Sequence, residues 1–225
     1  MKLTPIKPAL MALCTVFALS GCEQLRVESI PTGEVVACDN ALTGWWTGST
    51  EDSDQEIFVH VSDDCSTWLS VEKNDDGSMK LENLGEEMKF QTLEINATRI
   101  LAVSPTTPDD DKYILDGHLL FRYEVNPSVL KLFAGSSRIE ARRIAEGKVA
   151  GRVEARRVGD CGNRAPCEVN ALITGSPDDI RGWLISFKPL NQKYATFKRV
   201  PTDASVDLEA LLKSAPSDGK PKPHE

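Results

Sequence analysis

The chain has 225 residues, and its 34 acidic residues outnumber its 26 basic ones, so the formal net charge is −8. This acidic balance argues against nucleic acid as a partner, because contact with phosphates requires clustered Lys and Arg side chains. It argues equally against a basic patch for anionic lipid head groups. The length suffices for one large domain or two small ones.

The first 21 residues have the composition of a secretory signal. Lys2 and Lys7 give a positive start, and the stretch ALMALCTVFAL at residues 9–19 is almost entirely apolar. It is too short to span a bilayer, because a helix needs about 20 residues to do so. This pattern predicts that residues 1–21 are removed. The alternative is an N-terminal core helix, which the abrupt change to polar sequence after Cys22 disfavours.

The four residues LSGC, ending at Cys22, resemble the lipobox of bacterial lipoproteins, with Leu19 and Ser20 in front of Gly21. The resemblance implies cleavage between Gly21 and Cys22 and a lipid on the Cys22 thiol. Each buried CH₂ contributes about 0.8 kcal/mol, so two or three acyl chains would anchor the protein firmly. The following residue is Glu23 rather than Asp, which implies the outer membrane, with the domain facing the periplasm. The inner membrane is the less favoured location.

Cysteine usage predicts disulfides in the mature domain. Cys14 leaves with the signal, and Cys22 is taken by the lipid. The remaining four are Cys38, Cys65, Cys161 and Cys167. An even number of cysteines in an oxidising compartment favours disulfides. Four cysteines can pair in three ways, and we predict the pairs Cys38–Cys65 and Cys161–Cys167. Zinc is the alternative, but the sequence has no C-x₂-C and no paired histidines.

Composition divides the mature chain into three parts. Residues 22–36 are polar and without clear period, which predicts a flexible tether that reaches at most about 50 Å. Residues 37–212 have the hydrophobic patterning of a single β-rich globular domain. Residues 213–225 are rich in Pro, Lys and Ser, which predicts a disordered tail. Removal of residues 1–21 would leave a net charge of −10, because the signal holds two basic residues and no acidic one.

The first half of the domain has the period-two pattern of β-strands. The stretch EIFVHVSDD at residues 56–64 alternates, and Asp76-Gly77 is a strong hairpin signal. The stretch NPS at residues 126–128 marks another turn. Strands spaced at about eight to twelve residues with turn signals predict an antiparallel barrel or sandwich.

The second half mixes strands with helix signals. Ser137 and Glu140 stand at capping-box spacing, and they predict a helix that ends near Gly147. The stretch SPDD at residues 176–179 has a cap, a proline and two acids, which predicts a second helix. A third short helix is predicted at about residues 205–212. The predicted class is therefore α+β, mainly antiparallel β, with two to three short helices in the C-terminal half.

The residues Gly44, Trp45 and Trp46 resemble the G-x-W start of lipocalin-type barrels. The resemblance implies that Trp46 plugs a closed barrel end and that the barrel carries an apolar ligand. Trp45 and Trp46 are then the candidate ligand-binding residues. The alternative is a core tryptophan beside a turn glycine.

Sequence motifs predict neither a metal nor a cofactor. The stretch EKNDDGSMKLEN places Asn83 where an EF-hand loop needs a bidentate Glu, so it predicts a hairpin instead of a calcium site. The aspartates 109–111 predict a solvated loop, with a weak calcium or partner contact as the alternative. The histidines are His60, His118 and His224, and no G-x-S-x-G, H-E-x-x-H or glycine-rich phosphate motif is present. No catalytic residue is predicted.

Three functions follow from these features. The first is a lipid-anchored, periplasm-facing protein that binds a protein or an envelope component without catalysis, for example as an inhibitor or immunity factor against a basic cell-wall hydrolase. The second is a lipocalin-like carrier, and the third is a hydrolase with an unrecognised carboxylate pair. The mature chain also resembles small lipoproteins of proteobacteria, with a tryptophan near the first strand and an S-P-x-x-I helix before the last.

Overall fold

A computed structural model describes residues 23–36, 38–51, 56–72, 88–104, 117–156 and 168–201. These residues form twelve strands and two helices. The strands are β1 (Leu25–Val27), β2 (Glu34–Val35), β3 (Gly44–Thr50), β4 (Ile57–Val61), β5 (Thr67–Glu72), β6 (Met88–Ile95), β7 (Thr98–Ser104), β8 (His118–Val125), β9 (Val129–Ala134), β10 (Gly151–Arg156), β11 (Glu168–Ile173) and β12 (Gln192–Arg199). The helices are α1 (Ser137–Ala145) and α2 (Pro177–Phe187).

Eight strands form a closed antiparallel barrel in the order β3-β4-β5-β6-β7-β8-β9-β12. From β3 to β9, each strand pairs with the next one along the chain. β12 closes the ring, because it pairs with β9 on one side and with β3 on the other. The predicted α+β class is confirmed, and a barrel rather than a sandwich is formed.

Strand β8 also belongs to a smaller sheet, which we call the extension. Residues 122–125 of β8 pair with β9 in the barrel, whereas residues 118–119 pair with β1. β1 then pairs in parallel with β11, and β11 pairs antiparallel with β10. The extension thus consists of β1, β11 and β10, with α1 packed against β11 and β10. Barrel and extension form one continuous sheet through β8.

The N-terminal segment is folded, so the tether predicted for residues 22–36 is wrong over residues 23–36. β1 lies between β8 and β11, and β2 adds to β6. Val27 is buried, and the backbone N–H of Thr32 donates to Pro177 O at 3.1 Å. Strands of three and two residues are too short to show a period in the sequence, and their partners lie far along the chain.

Both described helices begin with a side-chain cap. Ser176 Oγ accepts a hydrogen bond from the Asp179 N–H, and the Asp179 carboxylate accepts one from the Ser176 N–H, so the helix start predicted from the cap, proline and acids at 176–179 is a capping box. For α1 the predicted cap, Ser137, is wrong by one residue. The N-cap is Ser136, whose side chain accepts from the Ile139 N–H. The predicted helix at 205–212, the hairpin at 76–77 and the tail at 213–225 lie outside the described residues.

Two apolar cores lie on opposite sides of the barrel wall. The first fills the barrel and includes Trp46, Trp68 and Phe197. The second lies between the outside of the barrel, the extension and α2, and it includes Val27 and Trp183. The barrel wall is therefore buried on both faces where α2 covers it, and this explains the long apolar runs in β7 and β8.

Candidate functional site

One end of the barrel is closed by Trp46 and Arg199. Trp46 is fully buried, and its Nε1 donates to Leu42 O at 2.7 Å. The Arg199 guanidinium lies 3.8 Å from the centre of the Trp46 ring. It also donates to the backbone oxygens of Thr43 and, at 2.6 Å, Ala41. Burial lowers the pKa of Arg199. Trp46 is thus a buried residue at the closed end of the barrel.

Connection lengths distinguish the closed end from the opposite end. At the closed end, the links 62–66, 96–97 and 126–128 join β4 to β5, β6 to β7 and β8 to β9. At the opposite end, the links 73–87 and 105–117 are much longer, and β9 is followed by the segment that contains α1, β10, β11 and α2. The barrel therefore has one short-linked end and one end rich in insertions.

The barrel interior is too full for an apolar ligand. Its cavity has a volume of about 20 Å³ and is lined by residues that include Thr50, Trp68 and Phe121. One water needs about 10–15 Å³ of such space, whereas a ligand pocket holds about 300–1,000 Å³. Trp45 and Trp46 are also buried, and Trp45 packs against His60, with ring centres 4.8 Å apart. Neither tryptophan is accessible to a ligand.

Two polar atoms line this cavity without a hydrogen-bond partner in the described part of the chain. They are Thr50 Oγ1 and Trp68 Nε1. Buried polar groups in proteins are nearly always hydrogen-bonded to protein or water. The cavity has the size and the polar groups to hold one water molecule.

Among the predicted cysteine pairs, the structure describes Cys38 and Cys65, and they form a disulfide with their Cα atoms 5.1 Å apart. The bond ties the segment after β2 to the β4–β5 link at the closed end of the barrel. Cys161 and Cys167, like the predicted cleavage site at Gly21 and Cys22, lie outside the described residues.

Ser104 and His118 form a contact that resembles part of a nucleophilic site. Ser104 Oγ and His118 Nδ1 are 3.0 Å apart. Burial, followed by the charge of Arg26, lowers the pKa of His118. Among the described residues no carboxylate bonds to this ring, and no group of three or more His, Cys, Asp or Glu could hold a metal ion. The Ser104–His118 pair therefore lacks the third group that orients the histidine in a catalytic triad.

A polar cleft of about 380 Å³ opens where the N-terminal segment, the end of β6 and the start of α2 meet. We call it the acidic cleft. Its lining residues are Thr32, Gly33, Glu34, Glu94, Asn96, Asp178 and Arg181. Three carboxylates and one guanidinium give the lining a net charge of −2. The cleft is held in place by the Thr32–Pro177 hydrogen bond, which joins two of its walls.

Two carboxylates of the acidic cleft face each other. Glu34 on β2 is directly opposite Glu94 on β6 in the antiparallel register. Glu94 has Arg99 as its neighbour on β7, but that guanidinium bonds to Asp39 at 2.7 Å. Like charges in direct cross-strand pairs destabilise a sheet. This arrangement is therefore not explained by stability and leaves negative charge available to a partner.

No protein-family model matches the chain, and no match is found among curated proteins or solved structures. Neither helix in the described ranges is long and apolar enough to cross a membrane. Functional inference for this chain therefore comes from its N-terminal sequence and from the geometry of the acidic cleft.

The sequence contained no signal for the acidic cleft. Its walls come from residues 32–34, 94–96 and 178–181, which meet only because β2 pairs with β6 and α2 packs beside them. The N-terminal wall lies within the stretch predicted to be tether. The role of Arg199 was missed for a similar reason, since only the β3–β12 register places it opposite Trp46.

Proposed function

We propose that this protein is a lipid-anchored envelope protein whose barrel domain binds a protein partner at its surface and catalyses no reaction. The observation that carries the proposal is the filled barrel, since the cavity of about 20 Å³ leaves the surface as the place for recognition. The lipobox resemblance at Leu19 to Cys22 supports anchoring at the outer membrane, on the periplasmic side.

The acidic cleft is the proposed contact surface. The carboxylates of Glu34, Glu94 and Asp178 make no hydrogen bond or ion pair with other described residues, and a basic side chain of a partner would supply the missing countercharge. Electrostatic complementarity of this kind increases the association rate and selects partners. A basic protein of the envelope, such as a cell-wall hydrolase that this domain would inhibit, has the required charge.

The same cleft gives less support to a carboxylate-based hydrolase. A catalytic acid needs a raised pKa, which comes from burial in an apolar wall or from a second carboxylate close by in a site shielded from water. Glu34 and Asp178 are exposed, and none of the cleft's lining residues in the described ranges is apolar. A binding role is therefore better supported than acid–base catalysis.

The anchor is tested by the intact mass of the protein purified from its native membranes. We expect residues 1–21 to be absent and Cys22 to carry diacylglycerol with or without a further acyl chain. A chain that retains residues 1–21, or a free thiol at Cys22, would overturn the anchor and the assigned compartment.

Partner binding is tested by capture from detergent-solubilised envelopes, with enrichment measured by mass spectrometry. The Glu34→Gln/Glu94→Gln variant removes two charges from the cleft, and the Glu51→Gln/Glu124→Gln variant removes two exposed charges elsewhere on the barrel. We expect a basic protein to be enriched at least tenfold less on the cleft variant than on the matched control. Equal enrichment on both variants would contradict the cleft as the contact surface.

A further inference from the structure

The solvent-facing side of α1 carries basic and apolar residues in an otherwise acidic protein. We call Arg138, Ile139 and Arg142 the α1 face, and all three are exposed. Ile139 is 47% exposed and is one of three large apolar residues found exposed in the described ranges. The net charge of −8 describes the whole chain and therefore does not reveal a local basic patch.

Two carboxylates near the α1 face, those of Glu140 and Glu146, are already engaged in other contacts. Glu140 is buried and accepts from Trp183 Nε1 at 2.9 Å and from Arg143. Glu146 pairs with Lys148 at 2.7 Å. Glu140 therefore does not bond to Arg142, and Glu146 bonds to Lys148, although it also lies within electrostatic reach of Arg142.

The chain enters the folded body directly beside α1. Glu23 forms an ion pair with Arg138, and Ser137 Oγ donates to Glu23 Oε2 at 3.4 Å. The next residue is fixed too, since the Gln24 N–H donates to Asn170 Oδ1 at 2.7 Å. Successive Cα atoms are about 3.8 Å apart, so residue 22 lies within one residue's length of this contact.

We propose that the α1 face lies on the surface of an anionic phospholipid bilayer. This inference rests on the proposed lipidation of Cys22. Acyl chains on Cys22 enter the bilayer next to Glu23, and no flexible spacer separates them from the domain. The surface around Glu23 must then face the head groups. Arg142 attracts anionic phosphates there, Arg138 holds Glu23 in place beside them, and Ile139 enters the interfacial region.

This orientation combines two membrane signals, acyl chains and a basic apolar patch, which together anchor better than acyl chains alone. The same orientation determines which surfaces of the domain face the periplasm. With α1 on the bilayer, the domain is held close to the membrane in one orientation rather than swinging over about 50 Å, as a fifteen-residue tether would allow.

The test uses the mature chain, residues 22–225, coupled through the Cys22 thiol to a maleimide lipid, with a single adduct verified by mass. The protein is placed in nanodiscs of phosphatidylethanolamine and phosphatidylglycerol that contain a head-group spin-labelled lipid. Methyl NMR then reports which side chains lie near the spin label. We expect the Ile139 methyl signal to lose at least half its intensity, while that of Val35, which is 69% exposed, is unchanged.

A double variant and a matched control complete the test. Ile139→Ser/Arg142→Glu should reduce broadening of the Ile144 methyl signal at the end of α1 at least twofold, whereas Val35→Ser/Lys198→Glu should leave it unchanged. Attenuation of Ile139 no greater than that of Val35 would overturn the orientation. Because the lipid is attached chemically, that outcome is independent of whether the cell lipidates Cys22, which the intact mass decides separately.

Discussion

Single residues hold the closed end of the barrel. Arg199 connects its own strand to two other segments there. Its side chain contacts Ala41, Thr43 and Trp46, and its backbone N–H donates to Ser128 O at 3.0 Å. This concentration of contacts on one side chain makes the closed end sensitive to substitution.

We expect Arg199→Met to lower the free energy of unfolding by about 2–4 kcal/mol, because it removes charged hydrogen bonds and the stacking on Trp46. Urea unfolding followed by tryptophan fluorescence measures this loss. The adjacent, exposed Lys198 provides the control, and Lys198→Ala should change stability by no more than about 0.5 kcal/mol. Equal effects of the two substitutions would show that the barrel end does not depend on Arg199.

The cavity beside Thr50 and Trp68 makes a second prediction at this scale. If one water bonds to Thr50 Oγ1, Thr50→Val should lower the free energy of unfolding by about 1 kcal/mol. Thr196 Oγ1 is also without a partner among the described residues but does not line the cavity, so Thr196→Val should be neutral or stabilising. A gain in stability from Thr50→Val would exclude the bound water.

Asp64 gives the protein a specific response to acid. Its carboxylate accepts from Ser62 Oγ at 2.6 Å, from Ser66 Oγ at 2.7 Å and from the Ser66 N–H at 3.0 Å. The Ser62 bond is the largest cause, and these bonds lower the pKa of Asp64 to about 2. Because the folded-state pKa is depressed, the stabilisation is complete above about pH 4 and is lost as pH falls towards 2.

We expect the carboxyl carbon of Asp64 to titrate near pH 2 in NMR spectra. Asp64→Asn should make the loss of stability between pH 4 and pH 2 shallower, as measured by urea unfolding at each pH. A titration midpoint near pH 4 would contradict the hydrogen-bonded turn.

Some residue-level features were predictable and others were not. The Cys38–Cys65 disulfide is confirmed, because nearby cysteines in an oxidised domain have few other partners. The roles of Arg199 and Glu34 were not predictable, since each depends on a strand register that joins distant segments.

At the scale of elements, α1 and α2 are joined by one buried carboxylate. Glu140 of α1 is almost completely buried and accepts from the Trp183 Nε1 of α2. The sequence suggested a capping role for Glu140, and the structure corrects it, because the N-cap is Ser136 and the Glu140 carboxylate bonds to Trp183 and Arg143.

We expect Glu140→Ala to lower the free energy of unfolding by about 3 kcal/mol, because it leaves the Trp183 N–H buried and unpaired. Glu140→Gln keeps an acceptor and should lose less than half as much. Thermal and urea unfolding measure both. Glu146→Gln on the same helix is the matched control, and a loss there equal to that of Glu140→Ala would contradict the buried link.

Local patterns predicted most elements but not their partners. Alternation of apolar and polar residues predicted strands such as β4. A cap residue followed by proline and acidic residues predicted α2. β1 and β2 were missed because three and two residues cannot display a period, and they are strands only through β8, β11 and β6.

At the scale of the whole molecule, closure of the barrel depends on pairings that sequence patterns do not encode. β3 and β12 lie at opposite ends of the domain sequence, and their pairing distinguishes a barrel from an open sheet. This is why a sandwich remained equally compatible with the sequence.

The Cys38–Cys65 bond should stabilise the whole domain, because it closes a loop of 27 residues between the N-terminal segment and the barrel. We expect Cys38→Ala/Cys65→Ala to lower the free energy of unfolding by about 3.5 kcal/mol. The same change at Cys161 and Cys167, whose predicted loop is shorter, should cost about 2.5 kcal/mol. Denaturant unfolding of the purified variants measures both, and an unchanged midpoint for the first variant would contradict the stabilising role.

The central place of β1 also sets an order of events during biogenesis. This strand is synthesised first, yet both of its neighbours, β8 and β11, come later, and β12 must be complete before the barrel can close. Pairings between such distant segments form slowly. The extension needs the chain up to residue 173, whereas the barrel cannot close until residue 199 has been made. Closure of the barrel is therefore a late event that needs nearly the whole domain sequence.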